Sequence, residues 1–111
     1  MDMQVIEADG ASIAVLDGRF DIAGAQAVDL RFSALAGSVP ALAVDLTKVS
    51  FLASMGVRTL MLSAKTMLRR GAAIVVFGAD ENVEKVLRAT GFDEIVTLCP
   101  DRETALATLK K

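Results

Sequence analysis

The sequence contains no histidine and a single cysteine, Cys99. Without imidazole there is no Ser–His or Cys–His nucleophile pair and no metal site built on histidine. One thiol excludes an internal disulfide and any metal site that needs several cysteines, and Cys99 reads as a small buried apolar side chain. Charge of one sign is not in excess either: 12 Lys and Arg stand against 14 Asp and Glu, a formal net charge of −2. A nucleic-acid-binding domain would carry a clustered basic footprint. The adjacent basic pairs, Arg69-Arg70 and Lys110-Lys111, fall instead where helices are expected to end and where cations suit the helix dipole. No apolar run approaches the roughly 20 residues of a membrane span, and the N-terminus lacks a charged-then-apolar signal pattern. A reduced, soluble, cytoplasmic protein without membrane insertion is expected. Phosphate-cradling loops of the forms G-x-x-x-x-G-K-[ST] and G-x-G-x-x-G are absent. No acid, base and nucleophile set can be named among the carboxylates, so neither enzymatic activity nor a cofactor or metal is expected.

What is present is a chain of 111 residues, 53% of them apolar. That length fits one domain, expected over residues 1–111, and suffices to bury a real core. Met3–Ala8 and Ile13–Leu16 read as strands around the turn dipeptide Asp9-Gly10, a β-hairpin, with Asp17-Gly18 closing the second strand. Asp21 is placed to cap a helix with Ala23, Ala27, Leu30, Ala34 and Leu35 inward, Gly37 as its stop and Pro40 beyond. Ala41–Leu46 is apolar on both parities up to Asp45, the pattern of a central strand covered on two faces. Strand-end Asp45 is expected to accept from loop amides. Val57, Leu60, Met61, Ala64 and Leu68 keep the spacing of an amphipathic helix, ended by Arg69-Arg70-Gly71. Ala72–Gly78 is the strongest strand pattern, Asp80 caps a helix with Val83, Val86 and Leu87 inward, and Gly91 stops it. Glu94–Leu98 is expected as a short last strand, and Pro100-Asp101 opens a helix with Ala105, Leu106 and Leu109 inward. Alternating elements with short links predict an α/β fold, a mixed and mostly parallel sheet of about five strands flanked by about four helices.

The stretch from Val44 to Arg58 organises the rest. It reads as a buried strand, a short polar link, an apolar step and a helix start, with Ser54 at the junction and Gly56 after it. A serine before a helix is most often a cap. The same position also suits a phosphate, which adds about −1.5 to −2 charge where a helix offers free amides and a positive dipole end. Arg58, four residues on, lies one turn away and can pair with it.

Asp45-Leu46-Thr47-Lys48-Val49-Ser50-Phe51-Leu52-Ala53-Ser54-Met55-Gly56-Val57 resembles the signature of STAS domains, above all bacterial anti-sigma factor antagonists. The family's usual form is a strand ending D-L-S, a hydrophobic step, and D-S-S-G or D-S-T-G opening a helix. Gly18-Arg19-Phe20-Asp21 resembles its G-x-L-D, and Gly71 to Gly78 and Ala89-Thr90-Gly91-Phe92 match its spacing. The resemblance spans nearly the whole chain. It implies a non-enzymatic partner switch, in which the domain binds an anti-sigma factor that is also a serine protein kinase. Phosphorylation by that kinase weakens the complex, and a PP2C-type phosphatase reverses it. Carried over by position, the phosphoacceptor is Ser54 and the loop aspartate is Asp21; Met55, Gly56 and Arg58 complete the expected partner-binding set. Three residues depart from the pattern: Ala53 replaces the acid before the serine, Met55 the second hydroxyl residue, and Arg58 a common glycine. The same fold also serves as a transporter or lipid-trafficking subunit docked permanently on an ATPase, and a small-ligand sensor is a further reading.

Overall fold

A computed structural model describes residues 1–110. The elements follow in chain order: β1 (Asp2–Ala8), β2 (Ala11–Phe20), α1 (Ile22–Ala36), β3 (Ala41–Leu52), α2 (Ser54–Arg69), β4 (Ala73–Phe77), α3 (Glu81–Ala89), β5 (Thr97–Cys99) and α4 (Arg102–Leu109). The hairpin forms as the turn dipeptide dictates. Ala8 pairs with Ala11, and the two linking residues, Asp9 and Gly10, both take positive φ, 53° and 81°. That is the combination a tight hairpin turn requires, and Asp-Gly supplies it.

The strands lie in the sheet in their order along the chain, β1-β2-β3-β4-β5, with β1 antiparallel to β2 and the rest parallel. Right-handed crossovers that always step in one direction place every crossover helix on the same face. Accordingly α1, α2 and α3 share one core with Leu42, Val44 and Leu46 of β3, closed by the fully buried Phe20, Phe32 and Phe92. The alternate residues of the same strands, Ile13, Ala43, Val75 and Phe77, form a smaller core under α4. The two-sided apolar pattern of the central strands has this origin.

Several element bounds and faces differ from expectation. β2 is not closed by Asp17-Gly18 but continues to Phe20, and β3 does not end at Leu46 but runs on to Leu52. Between them the register slips twice: Val15 faces Asp45 while Asp17 faces Lys48, and Gly18 faces Val49 while Arg19 faces Phe51. Each slip inserts one extra β3 residue, a β-bulge. The bulges keep Leu46, Val49 and Leu52 inward at intervals of three, which hides the strand behind an apparent polar link.

α1 presents a different face from the one expected. Gly24, Ala25, Val28, Phe32 and Ala36 are buried, whereas Leu30 is 84% exposed and Ala23, Ala27 and Ala34 face solvent. An alanine-rich helix is apolar on more than one side, and the bulk of Phe32 and Val28 selects the inner one. In α2, Val57, Leu60 and Ala64 are buried as expected, but Met67 replaces Leu68, and Thr59 and Ser63 are buried against the α1 side. Glu94 does not begin the last strand: Phe92–Glu94 is a 3-10 turn after Gly91, whose φ is +79°. Phe92 and Val96 are buried, and the Phe92 carbonyl accepts from the Ile95 and Val96 amides at 3.0 Å, so the chain is still turning where a strand was expected. Asp21, Asp80 and Asp101 cap their helices, accepting from Gly24, Val83 and Thr104 amides at 2.9, 2.8 and 2.8 Å. Cys99 is buried, and Asp45 accepts from the Thr47 amide at 2.9 Å. Lys111 lies outside the described residues.

Candidate functional site

Phe20 and Leu52 are the last paired residues of β2 and β3. The two strands are parallel neighbours, so their carboxyl ends release the chain side by side, one into α1 through Asp21 and the other into α2 through Ala53 and Ser54. The ladder persists one step further, since the Ala53 amide donates to the Phe20 carbonyl at 3.0 Å. Asp21 and Ser54, 33 residues apart in sequence, thus sit at adjacent strand ends.

Ser54 is not the cap of α2. It is the first helical residue and is exposed; the capping position belongs to Ala53, whose methyl group offers no acceptor. This helix start therefore lacks the side-chain cap that aspartate supplies to α1, α3 and α4. Asp21 does cap α1. The Gly24 amide, with the Arg19 guanidinium at 3.4 Å, holds its carboxyl below the usual carboxylate range.

Gly56, expected among the partner-binding residues, is instead a buried close-approach position. A Cβ there would press into the Phe20 carbonyl oxygen and come within 2.8 Å of Leu52 Cδ1 and Phe20 Cγ. Met55 is 38% exposed, and Arg58 is exposed and forms no ion pair among the described residues. Both line a groove of about 280 Å³ between α1 and α2, with Ala25 and Asp29 on one wall and Thr59 and Leu62 on the other.

One further feature escapes a reading of the sequence. Arg19 lies over the Phe51 ring, 4.4 Å from its centroid, while its Nε donates to Asp21; this ties β2 to the bulged end of β3. The pairing depends on the register slips and has no local signal. Leu62, in contrast, follows Met55 and Arg58 at helical spacing, and that periodicity would have placed it on their face.

The protein-family model for the STAS domain matches residues 2–105, and the chain belongs to that family. No curated protein sequence matches it. Among solved structures, it is similar to an anti-sigma factor antagonist from Mycobacterium paratuberculosis, with 28% identity and a TM-score of 0.91, covering 99% of this chain and 94% of that one. The phosphorylated form of SpoIIAA, a Bacillus cell fate determinant, shares the fold at 15% identity and a TM-score of 0.74, covering 96% and 98% of the two chains. So does the STAS domain of a SulP transporter from Vibrio cholerae, at 23% identity and a TM-score of 0.72, covering 93% and 83%. Among the described residues no helix is long and apolar enough to cross a membrane.

Proposed function

We propose that this chain is a non-enzymatic, cytoplasmic anti-sigma factor antagonist that works by partner switching. Unmodified, it binds an anti-sigma factor with serine kinase activity; phosphorylated on Ser54, it releases that partner, and a PP2C-type phosphatase restores it. The observation that carries this reading is an exposed serine at the uncapped start of α2, beside Asp21, in a chain similar over its whole length to an anti-sigma factor antagonist. In the forward step Ser54 Oγ attacks the γ-phosphorus of ATP. The bond from that phosphorus to the bridging oxygen breaks, ADP leaves, and the hydroxyl proton passes to the kinase. Phosphatase-catalysed hydrolysis returns serine and inorganic phosphate. Ala53 leaves no carboxylate to repel the incoming phosphate, and Met55 leaves Ser54 as the sole hydroxyl acceptor of the motif.

The switch is electrostatic. Unmodified, the start of α2 offers a small, nearly neutral surface; buried in an interface, an unpaired dianion carries a heavy desolvation penalty. Titration against the anti-sigma kinase encoded by the same genome is expected to show Ser54→Ala binding as tightly as wild type and Ser54→Asp markedly more weakly. Equal affinities for the two variants would remove Ser54 from the switch. Intact-mass analysis of protein from its own host should show a species about 80 Da heavier, the mass of one phosphate, that disappears in Ser54→Ala.

The likeness to a transporter STAS domain supports a second reading, permanent docking of α2 on a transport protein. Neighbouring genes separate the two: a kinase and phosphatase favour the switch, an ATPase and permease favour docking.

A further inference from the structure

We infer that Arg58 is the specificity-determining residue of the α1–α2 groove: it selects a partner segment that carries a carboxylate beside an apolar anchor, and phosphate on Ser54 competes for the same guanidinium. The inference rests on the partner-switch reading and adds to it the chemistry of the partner. Met55, Arg58 and Leu62 follow one another at helical spacing on the outer side of α2, and all three line the groove. Met55 and Leu62 are 38% and 52% exposed, so an apolar side chain laid across them would cover surface that this chain leaves to water. Arg58 stands between them without an ion pair among the described residues. The other arginine near these strand ends, Arg19, is already held by Phe51 and Asp21.

An unpaired guanidinium flanked by two apolar side chains is complementary to a carboxylate flanked by an apolar one, because its planar fork takes a carboxylate at two points. Asp29 lines the facing wall on α1 and forms no salt bridge with Arg58. It repels an acid seated at its own side, and this fixes the partner's carboxylate over Arg58. An amphipathic helix fits these requirements, since its apolar face and its acidic side chain recur together at the spacing of the groove.

Arg58 also lies one helical turn after Ser54, a separation at which side chains meet. A phosphate on Ser54 would be a stronger bidentate acceptor than a carboxylate, and it is tethered, so it would hold Arg58 within its own chain. The partner would then meet a new dianion and would also lose the cation it had been reading.

The test is calorimetric titration of the anti-sigma kinase from the same genome against Arg58→Lys, Arg58→Ala and Arg58→Glu, each checked for unchanged thermal unfolding. Loss of affinity by about tenfold for Arg58→Ala and about a hundredfold for Arg58→Glu is expected, with Arg58→Lys between wild type and Arg58→Ala. Reversal of one acidic residue of the kinase to lysine should restore binding to Arg58→Glu and weaken binding to wild type. In the second arm phosphoserine is installed at position 54 during translation and its ³¹P resonance is followed against pH. With arginine at 58, the second ionisation should lie below its ordinary value of about 6, and Arg58→Ala should raise it part of the way back, the share due to the helix amides remaining. If Arg58→Glu binds as wild type does while Ser54→Asp still fails, Arg58 is not read by the partner and the switch itself stands. Identical phosphate titrations would overturn the competition. A kinase that binds none of these proteins, wild type included, would remove the partner-switch reading and this inference with it.

Discussion

Gly24 and Gly56 occupy the third position of α1 and α2, and each presses its helix against the carboxyl end of β2. A Cβ at Gly24 would run into the Arg19 carbonyl oxygen, and one at Gly56 into that of Phe20. Alanine ordinarily stabilises a helix relative to glycine by about 1 kcal/mol. Here the obstacle is backbone, which cannot step aside, so the sign reverses. Gly56→Ala is expected to lower unfolding free energy by about 1–3 kcal/mol in urea titrations, the range for overpacked sites. Asp21 and Asp101 act at the same scale. Amide hydrogen bonds from Gly24 and Thr104 are the leading cause that lowers their carboxyl pKa values from the ordinary 3.8. A lowered folded pKa gives stability that is present above the unfolded value and is lost as pH falls through the folded one. Acid titrations between about pH 5 and pH 2 should therefore show a shallower loss of stability for the Asp21→Asn, Asp101→Asn double variant than for wild type.

At the scale of elements, the faces of α1 make a sharp contrast. Leu30→Lys should change stability by no more than about 0.5 kcal/mol, as an exposed position allows. Phe32→Ala should cost about 3–5 kcal/mol through the cavity it opens. Chemical denaturation of both variants checks the pair. Periodicity alone pointed to the wrong one, because Leu30 and Phe32 are both apolar and only the sheet beneath distinguishes them. The hairpin, the order of strands and helices, and the aspartate caps were legible because each has a local cause: positive φ at Asp-Gly, alternation of apolar patterns, an acceptor before a first turn. The far half of β3 was not legible. Its inward residues fall at Leu46, Val49 and Leu52 because two bulges reset the pairing with β2, and pairing is not local. The candidate site divides in the same way. Asp21 and Ser54 were named from the sequence, whereas their meeting at neighbouring strand ends and the burial of Gly56 came only with the fold.

Over the whole molecule, the two faces of the sheet differ in kind. α1, α2 and α3 cover one face, with the groove between α1 and α2, while α4 covers part of the other. Away from α4, Asp2, Gln4, Asp17 and Lys48 gather around Val15 in a small polar pocket. In amide spectra of the labelled protein titrated with the kinase partner proposed above, the expected perturbations fall on residues 19–29 and 51–66. The α4 residues 102–109 should keep their positions, and the converse pattern would place the partner on the wrong face. The strands also stand in the sheet in the order in which they leave the ribosome, β1 to β5. Each strand emerges to find its only required neighbour already made, and no gap has to be held open for a later one. Such a sheet can be laid down during synthesis, each parallel pair closing once the helix that links its strands has been made. Nascent chains stalled once β4 has cleared the exit tunnel should already resist protease through β3, and chains unprotected until α4 emerges would show that the sheet forms only as a whole.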